Sequence, residues 1–131
     1  MSPVRVTVYG GSGAWPAAGQ ACSGYLVELD GFRLLMDPGY AVTPLLDPLA
    51  VDAVFVSHGH PDHCADLNPL LRGRVLADSP PVPLPVYALG GVDSPQRVRD
   101  CLDEGATGVA VMGAVMRAED PARFVKELLT I

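Results

Sequence analysis

Only Asp30 and Gly31 separate two short apolar runs, Gly24–Leu29 and Phe32–Met36. Asp-Gly is the strongest short hairpin signal, because both central residues of a tight hairpin turn want positive φ. An antiparallel pair near the N-terminus is therefore the first constraint on the fold. Residues 4–9 alternate β-branched and polar side chains and read as a strand running into Gly10-Gly11-Ser12-Gly13, a flexible turn that continues to Gln20. Asp37-Pro38-Gly39 stops the third strand. Thr43-Pro44 opens a short helix through Leu49, with Thr as cap and Pro at the first helical position.

Residues 51–57 (VDAVFVS) are short and nearly all apolar, the pattern of a strand buried on both faces. A helix is expected over residues 64–71. Four prolines in the six residues 80–85 remove backbone donors, which makes this stretch the natural junction of the chain. Beyond it, Val86–Leu89 reads as a strand ending in Gly90-Gly91. Asp93 or Ser94 caps a helix with Pro95 in its first turn, Val98, Cys101 and Leu102 form its apolar stripe, and Gly105 suits the left-handed stop. Residues 108–112 form another buried strand, followed by Gly113. Asp120-Pro121 opens a last helix with Phe124, Val125, Leu128 and Leu129 facing the core. The order is three strands with a hairpin, then β-α, then β-α-β-α.

Composition sets the class. The 131 residues suffice for one domain, and 49% hydrophobic against 18% charged residues allow a real core. Nine Lys and Arg against fifteen Asp and Glu give a net charge of −6, which argues against nucleic-acid partners, since these need clustered cations. No apolar run is long enough for a spanning helix, and residues 1–13 lack a basic region followed by a long apolar stretch. Cys22, Cys64 and Cys101, odd in number and widely spaced, suggest no disulfide framework. A cytoplasmic α/β protein without membrane partners is expected. Unpaired sheet edges would offer it a route to a homo-oligomer.

All three histidines of the chain lie within six residues, directly after the apolar strand of residues 51–57. Imidazole nitrogen and carboxylate oxygen are ligands that a borderline cation such as Zn²⁺ accepts. His58, His60, Asp62 and His63 are therefore the candidate metal ligands. Ser57-His58-Gly59-His60-Pro61-Asp62-His63 resembles the HxHxDH signature of the metallo-β-lactamase-fold hydrolases, in the branch of ribonuclease Z and cyclic-nucleotide phosphodiesterases. The resemblance runs from Val4 to about Leu84 and includes Asp37-Pro38-Gly39, similar to that family's strand-ending Asp-x-Gly element. It implies that His58 and His60 hold a first zinc ion, and Asp62 and His63 a second. It also implies that a metal-bound water attacks an ester, thioester, lactam or phosphodiester, with Asp62 orienting the water. Asp37 is then the acid that holds a ligand histidine in orientation, or else simply a turn aspartate before Pro38-Gly39. The family completes its sites with later histidines and an aspartate, and no histidine follows His63. Asp66, Asp78, Asp93 and Cys64 remain as spare donors. Three ligands at one metal can be assembled; the usual binuclear set cannot.

Gly90-Gly91 and Met112-Gly113 each end a strand, where backbone N–H groups can approach phosphate oxygens. From about Pro85 to Leu129 the chain resembles the last two β-α units of thiamine-phosphate synthase. That likeness implies phosphate binding through the backbone of Gly91, Met112 and Gly113; Met112-Gly113 replaces a Val-Ser pair of many relatives and so lacks the hydroxyl. The expected architecture is a single α/β domain of two segments. Residues 1–84 would be a partial metallo-β-lactamase-like αββα half, continued at 85–131 by a βαβα unit of TIM-barrel type. Three functions follow: a metal-dependent hydrolase of a small ester or phosphate with a reduced site, a non-catalytic hybrid domain, and a phosphate-binding fragment.

Overall fold

A computed structural model describes residues 2–77 and 83–131. Most of the proline-rich junction, including Asp78, lies outside the described residues. Among the described residues, seven strands form one mixed sheet: β1 (Arg5–Ser12), β2 (Ala21–Cys22), β3 (Gly24–Leu29), β4 (Phe32–Met36), β5 (Ala53–Val56), β6 (Val86–Leu89) and β7 (Gly108–Ala110). Their spatial order is β2-β1-β3-β4-β5-β6-β7. β1, β3 and β4 pair antiparallel, while β4 to β7 run parallel. The hairpin is as expected: Asp30 and Gly31 take φ of 49° and 85°, the two positive values its turn requires.

Among the described residues five α-helices flank the sheet: α1 (Pro61–Cys64), α2 (Leu67–Val75), α3 (Pro95–Asp103), α4 (Gly113–Arg117) and α5 (Pro121–Leu128). Ser94 and Asp120 cap α3 and α5, each accepting a backbone N–H three residues on. Several boundaries differ from the sequence expectation. The helix expected from Thr43 to Leu49 is two 3₁₀ turns, Thr43–Leu45 and Pro48–Ala50, because Pro48 cannot donate and starts a new turn. The helix expected over 64–71 is split, with α1 starting at Pro61 and α2 running on to Val75. In α5, Phe124 and Leu128 are half-buried, whereas Val125 and Leu129 point to solvent.

The core lies on one face of the sheet. Leu35, Val54, Val42 and Leu70 are fully buried there, with Ala21, Val51 and Val56 around them. Each buried aliphatic side chain contributes about 1.5–3 kcal/mol. Arg74 closes the far side: its guanidinium donates to the carbonyls of Pro48 at 2.7 Å and Val51 at 2.8 Å, binding α2 to the chain entering β5. Along β5, Val54 and Val56 are buried on one face; on the other, Ala53 is buried and Phe55 is half-buried.

Cys22, Cys64 and Cys101 are free. Among the described residues no helix is long and apolar enough to cross a membrane.

Candidate metal centre

Parallel pairing sets the carboxyl ends of β4, β5 and β6 side by side, the place where open α/β sheets present their ligands. Asp37 follows β4, Ser57 and His58 follow β5, and Gly90 follows β6. The Asp37 N–H donates to the Phe55 carbonyl at 2.9 Å, which ties the first two ends together. Asp37 takes φ of 52°, a left-handed conformation that Asp tolerates better than most residues. Its carboxylate is turned inward and is 7% exposed.

Gly39 explains how the histidine motif reaches this point. A Cβ there would overlap the backbone carbonyl of Asp62, so only glycine lets α1 come this close to the β4 end. The Asp66 N–H donates to the Pro38 carbonyl at 2.9 Å and holds the same approach one turn later.

Asp37 is the hub of the polar network. Its Oδ1 accepts the Ser57 N–H at 2.7 Å, and its Oδ2 accepts the Ser57 hydroxyl at 2.7 Å and His63 Nδ1 at 2.8 Å. Burial works against the charge of Asp37, but the bonds from Ser57 and His63 outweigh it and hold the carboxyl below its usual range. These bonds assign protons. A carboxylate only accepts, so His63 carries a proton on Nδ1 and turns its Nε2 away from Asp37. The single Ser57 hydroxyl proton goes to Asp37, so the 3.1 Å contact between Ser57 Oγ and His58 Nδ1 has His58 donating.

The rings stand close, His58 lying 4.1 Å from His63 and 4.7 Å from His60 between centroids. His63 Nε2 faces Asp62 Oδ2 at 3.3 Å. A proton on Nε2, or a metal ion between the two atoms, satisfies this pair. Two ligands about 2.0–2.1 Å from a tetrahedral zinc ion stand about 3.3–3.4 Å apart, so this pair fits zinc in chemistry and in spacing. Among the described residues no three His, Cys, Asp or Glu side chains form a ready-made ligand group. His60 is exposed at the start of α1.

The spare donors do other work. Asp66 Oδ2 accepts the Thr43 N–H at 2.8 Å, and the Cys64 thiol donates to the His60 carbonyl at 3.3 Å. Burial, then the charges of Asp37 and Asp62, push the Cys64 thiol up. Two contributors escaped the sequence reading. The Ala14 N–H, from the glycine-rich loop after β1, donates to Asp62 Oδ2 at 3.1 Å. Ser57 relays Asp37 to His58, and its position between the strand and the first histidine was its only signal.

A cavity of about 350 Å³ opens beside the histidines, lined by Ser57, Gly91, Asp93, Met112, Gly113 and Arg117 among others. It gathers all three residues expected to bind phosphate. It also adds a cation the sequence reading missed: a Cβ on Gly113 would lie 3.0 Å from Arg117 Nη1, so the guanidinium lies over that glycine.

The sequence pattern of the Metallo-beta-lactamase superfamily matches residues 17–121, most of the chain. The chain belongs to that superfamily. Among its relatives, the probable metallo-hydrolase YhfI of Bacillus subtilis is 45% identical over 71 residues, 51% of this chain and 29% of that protein. The crystal structure of YhfI superposes with a TM-score of 0.63 at 30% identity, covering 85% of this chain and 45% of that one. Since residues 1–84 are under two thirds of the chain, this likeness reaches into the segment 85–131. Ribonuclease Z of Kineococcus radiotolerans is 32% identical over 92 residues, 66% of this chain and 29% of that protein. Human tRNase Z, short form, shares the fold with a TM-score of 0.58 at 22% identity, over 83% of this chain and 46% of that one. The chain thus spans less than half the length of these superfamily relatives. Thiamine-phosphate synthases also match in part: that of Thermosynechococcus vestitus is 43% identical over 47 residues, 36% of this chain and 13% of that protein. That of Haloquadratum walsbyi is 34% identical over 82 residues, 63% of this chain and 36% of that protein, a match longer than the segment 85–131.

Proposed function

We propose that this superfamily member is a metal-dependent hydrolase of a small ester or phosphodiester, with a reduced ligand set made of His58, His60, Asp62 and His63. The Nε2 of His63 facing the Asp62 carboxylate at 3.3 Å carries the reading, because an imidazole nitrogen and a carboxylate oxygen at that spacing suit a shared zinc ion. Zinc suits these donors, one ion readily and a second only with further ligands. When bound, it supplies Lewis acidity and a nucleophile at neutral pH. Asp37 accepts from His63 Nδ1 and Ser57 Oγ accepts from His58 Nδ1, which leaves the Nε2 of each ring as the atom to meet a metal ion. Asp62, steadied by the Ala14 N–H, is the residue that orients the attacking water. A net charge of −6 favours a small anionic or neutral ester over a nucleic acid, and a cytoplasmic setting suits the free thiols.

Hydrolysis of bis-p-nitrophenyl phosphate with added zinc tests this reading. The chain should turn it over above a buffer blank, and His60→Ala should abolish the rate. No zinc-dependent rate, or an unchanged rate in His60→Ala, refutes catalysis.

The cavity supports a second reading, a non-catalytic hybrid or phosphate-binding fragment of thiamine-phosphate-synthase type, in which 85–131 keeps a phosphate site. The backbone of Gly91, Met112 and Gly113 would hold the phosphate with Arg117 as counter-ion. Saturable thermal stabilisation by thiamine phosphate or pyrophosphate, lost in Arg117→Ala, is its signature; no shift at millimolar ligand removes it.

A further inference from the structure

We infer that Trp15 and Tyr40 form an aromatic wall beside Asp62 that selects esters carrying a flat apolar group, an aryl ring being the simplest. The inference takes its reaction from the hydrolase reading and adds the substrate class. Two segments distant in sequence adjoin Asp62. The glycine-rich loop after β1 reaches its side chain, where the Ala14 N–H donates to Asp62 Oδ2 at 3.1 Å. The end of β4 reaches its main chain, where a Cβ on Gly39 would overlap the Asp62 carbonyl. The next residue of each segment is aromatic, Trp15 after Ala14 and Tyr40 after Gly39. Their rings are in contact, 5.5 Å between centroids and tilted by 51°.

The backbone holds both rings where they are. Ala14 takes φ of 37°, a conformation that costs a non-glycine residue energy and clusters at ligand sites. The Trp15 N–H donates back to the Gly13 carbonyl, which tightens the loop at this point. Tyr40 is tied to the far end of the same loop on both sides. The Gly39 N–H donates to the Ser23 carbonyl at 2.9 Å, and the Tyr40 carbonyl accepts the Cys22 N–H at 3.0 Å. All of these contacts join residues between Gly13 and Asp62. The core does not use the indole: Trp15 is 72% exposed, with half-buried Tyr40 beside it.

Next to the rings the chain leaves room for such a group. A cavity of about 480 Å³ is lined by Pro16 and Ala18, which follow Trp15, and by Ala41, Pro44 and Leu45, which follow Tyr40, among others. Gln20 is its one polar side chain among the described residues, and no charged one lines it. Aromatic faces favour flat apolar groups through offset or edge contacts, and one such contact is worth about 3–10-fold in affinity. Asp62 and the histidines then meet the polar ester, while the two rings and the cavity take the organic group attached to it. A small, wholly polar substrate gains nothing from these residues.

Isothermal titration calorimetry of the zinc-loaded chain with two phosphonates, whose P–C bond resists hydrolysis, tests the inference. Benzylphosphonate carries the ring, and methylphosphonate carries the same anionic head without it. Benzylphosphonate should bind about tenfold more tightly, and should change the fluorescence of Trp15, the one tryptophan of the chain. Trp15→Ala, and Trp15→Leu, which keeps apolar bulk without a ring, should each bring the ratio of the two dissociation constants close to one. Trp15→Phe should keep most of the preference, and circular dichroism should stay unchanged in all three. Failure of the metal centre reads separately: methylphosphonate binding that ignores zinc contradicts it, and a ring preference that still depends on Trp15 then upholds the wall. Equal affinity of the wild-type chain for the two phosphonates, or no binding of either, overturns the inference. So does a preference that survives both Trp15→Ala and Trp15→Leu.

Discussion

Asp37 Oδ2 receives the His63 Nδ1 proton at 2.8 Å across a separation of 26 residues. This contact joins the end of β4 to α1 and decides which nitrogen of His63 is available. The whole site depends on its direction: a carboxylate at this position presents His63 Nε2 outward, and a donor there would do the reverse.

Asp37→Asn tests that dependence. The amide retains one acceptor oxygen where three donors now converge, so at least one buried partner loses its bond. Urea unfolding should show a loss of about 1–3 kcal/mol. Zinc affinity, read by competition with a chromophoric chelator, should fall about 10–100-fold. A variant with wild-type zinc affinity would show that Asp37 is only a turn residue.

Gly39→Ala should be costly for a different reason. Its Cβ meets the Asp62 carbonyl, which is backbone and cannot rotate away. Moving α1 aside should cost about 1–3 kcal/mol and displace Asp62 and His63 together. Thermal unfolding and zinc titration should therefore both change. Loss of stability with intact zinc binding would contradict the tie between this glycine and the site.

Leu70→Ala separates core from site. Leu70 is fully buried against the sheet from α2, so its truncation should cost about 2–5 kcal/mol in chemical denaturation. Zinc stoichiometry should stay unchanged in the fraction that remains folded. Leu76→Ala, 74% exposed, should fall within about 0.5 kcal/mol of wild type.

The thiols should be sluggish. Burial raises Cys22, and burial with the Asp37 and Asp62 charges raises Cys64, so neither is a thiolate near neutrality. Iodoacetamide labelling followed by mass spectrometry at pH 7.5 should modify Cys64 far more slowly in the native chain than in urea. Cys22, with no exposed surface, should remain unlabelled until the chain unfolds. Fast native labelling of Cys22 would show that the core around Leu35 opens.

What was legible in the sequence was whatever local chemistry decides. Asp30-Gly31 dictated its turn, Ser94 and Asp120 their caps, and the spacing of His58, His60, Asp62 and His63 the closeness of these side chains. What was not legible depends on partners distant in the chain. β2 has two residues and exists because Gly10, lacking a Cβ, lets Ala21 come close enough to pair. α4 was missed because Ala114 and Val115 prolong the apolar run of the preceding strand. Phe55 is less buried than the rest of β5 for a related reason. Composition reports that Phe55 is apolar, while its burial depends on whether another layer covers it. Ser57 and Ala14 joined the site through bonds set by tertiary approach, which no motif encodes.

Zinc retention tests the central claim most directly. The chain, loaded with excess zinc and dialysed against metal-free buffer, should keep about one ion per molecule by inductively coupled plasma mass spectrometry. The combined His58→Ala, His60→Ala and His63→Ala variant, confirmed folded by circular dichroism, should keep essentially none. Equal zinc in the two proteins would contradict a cation held between these imidazoles and Asp62.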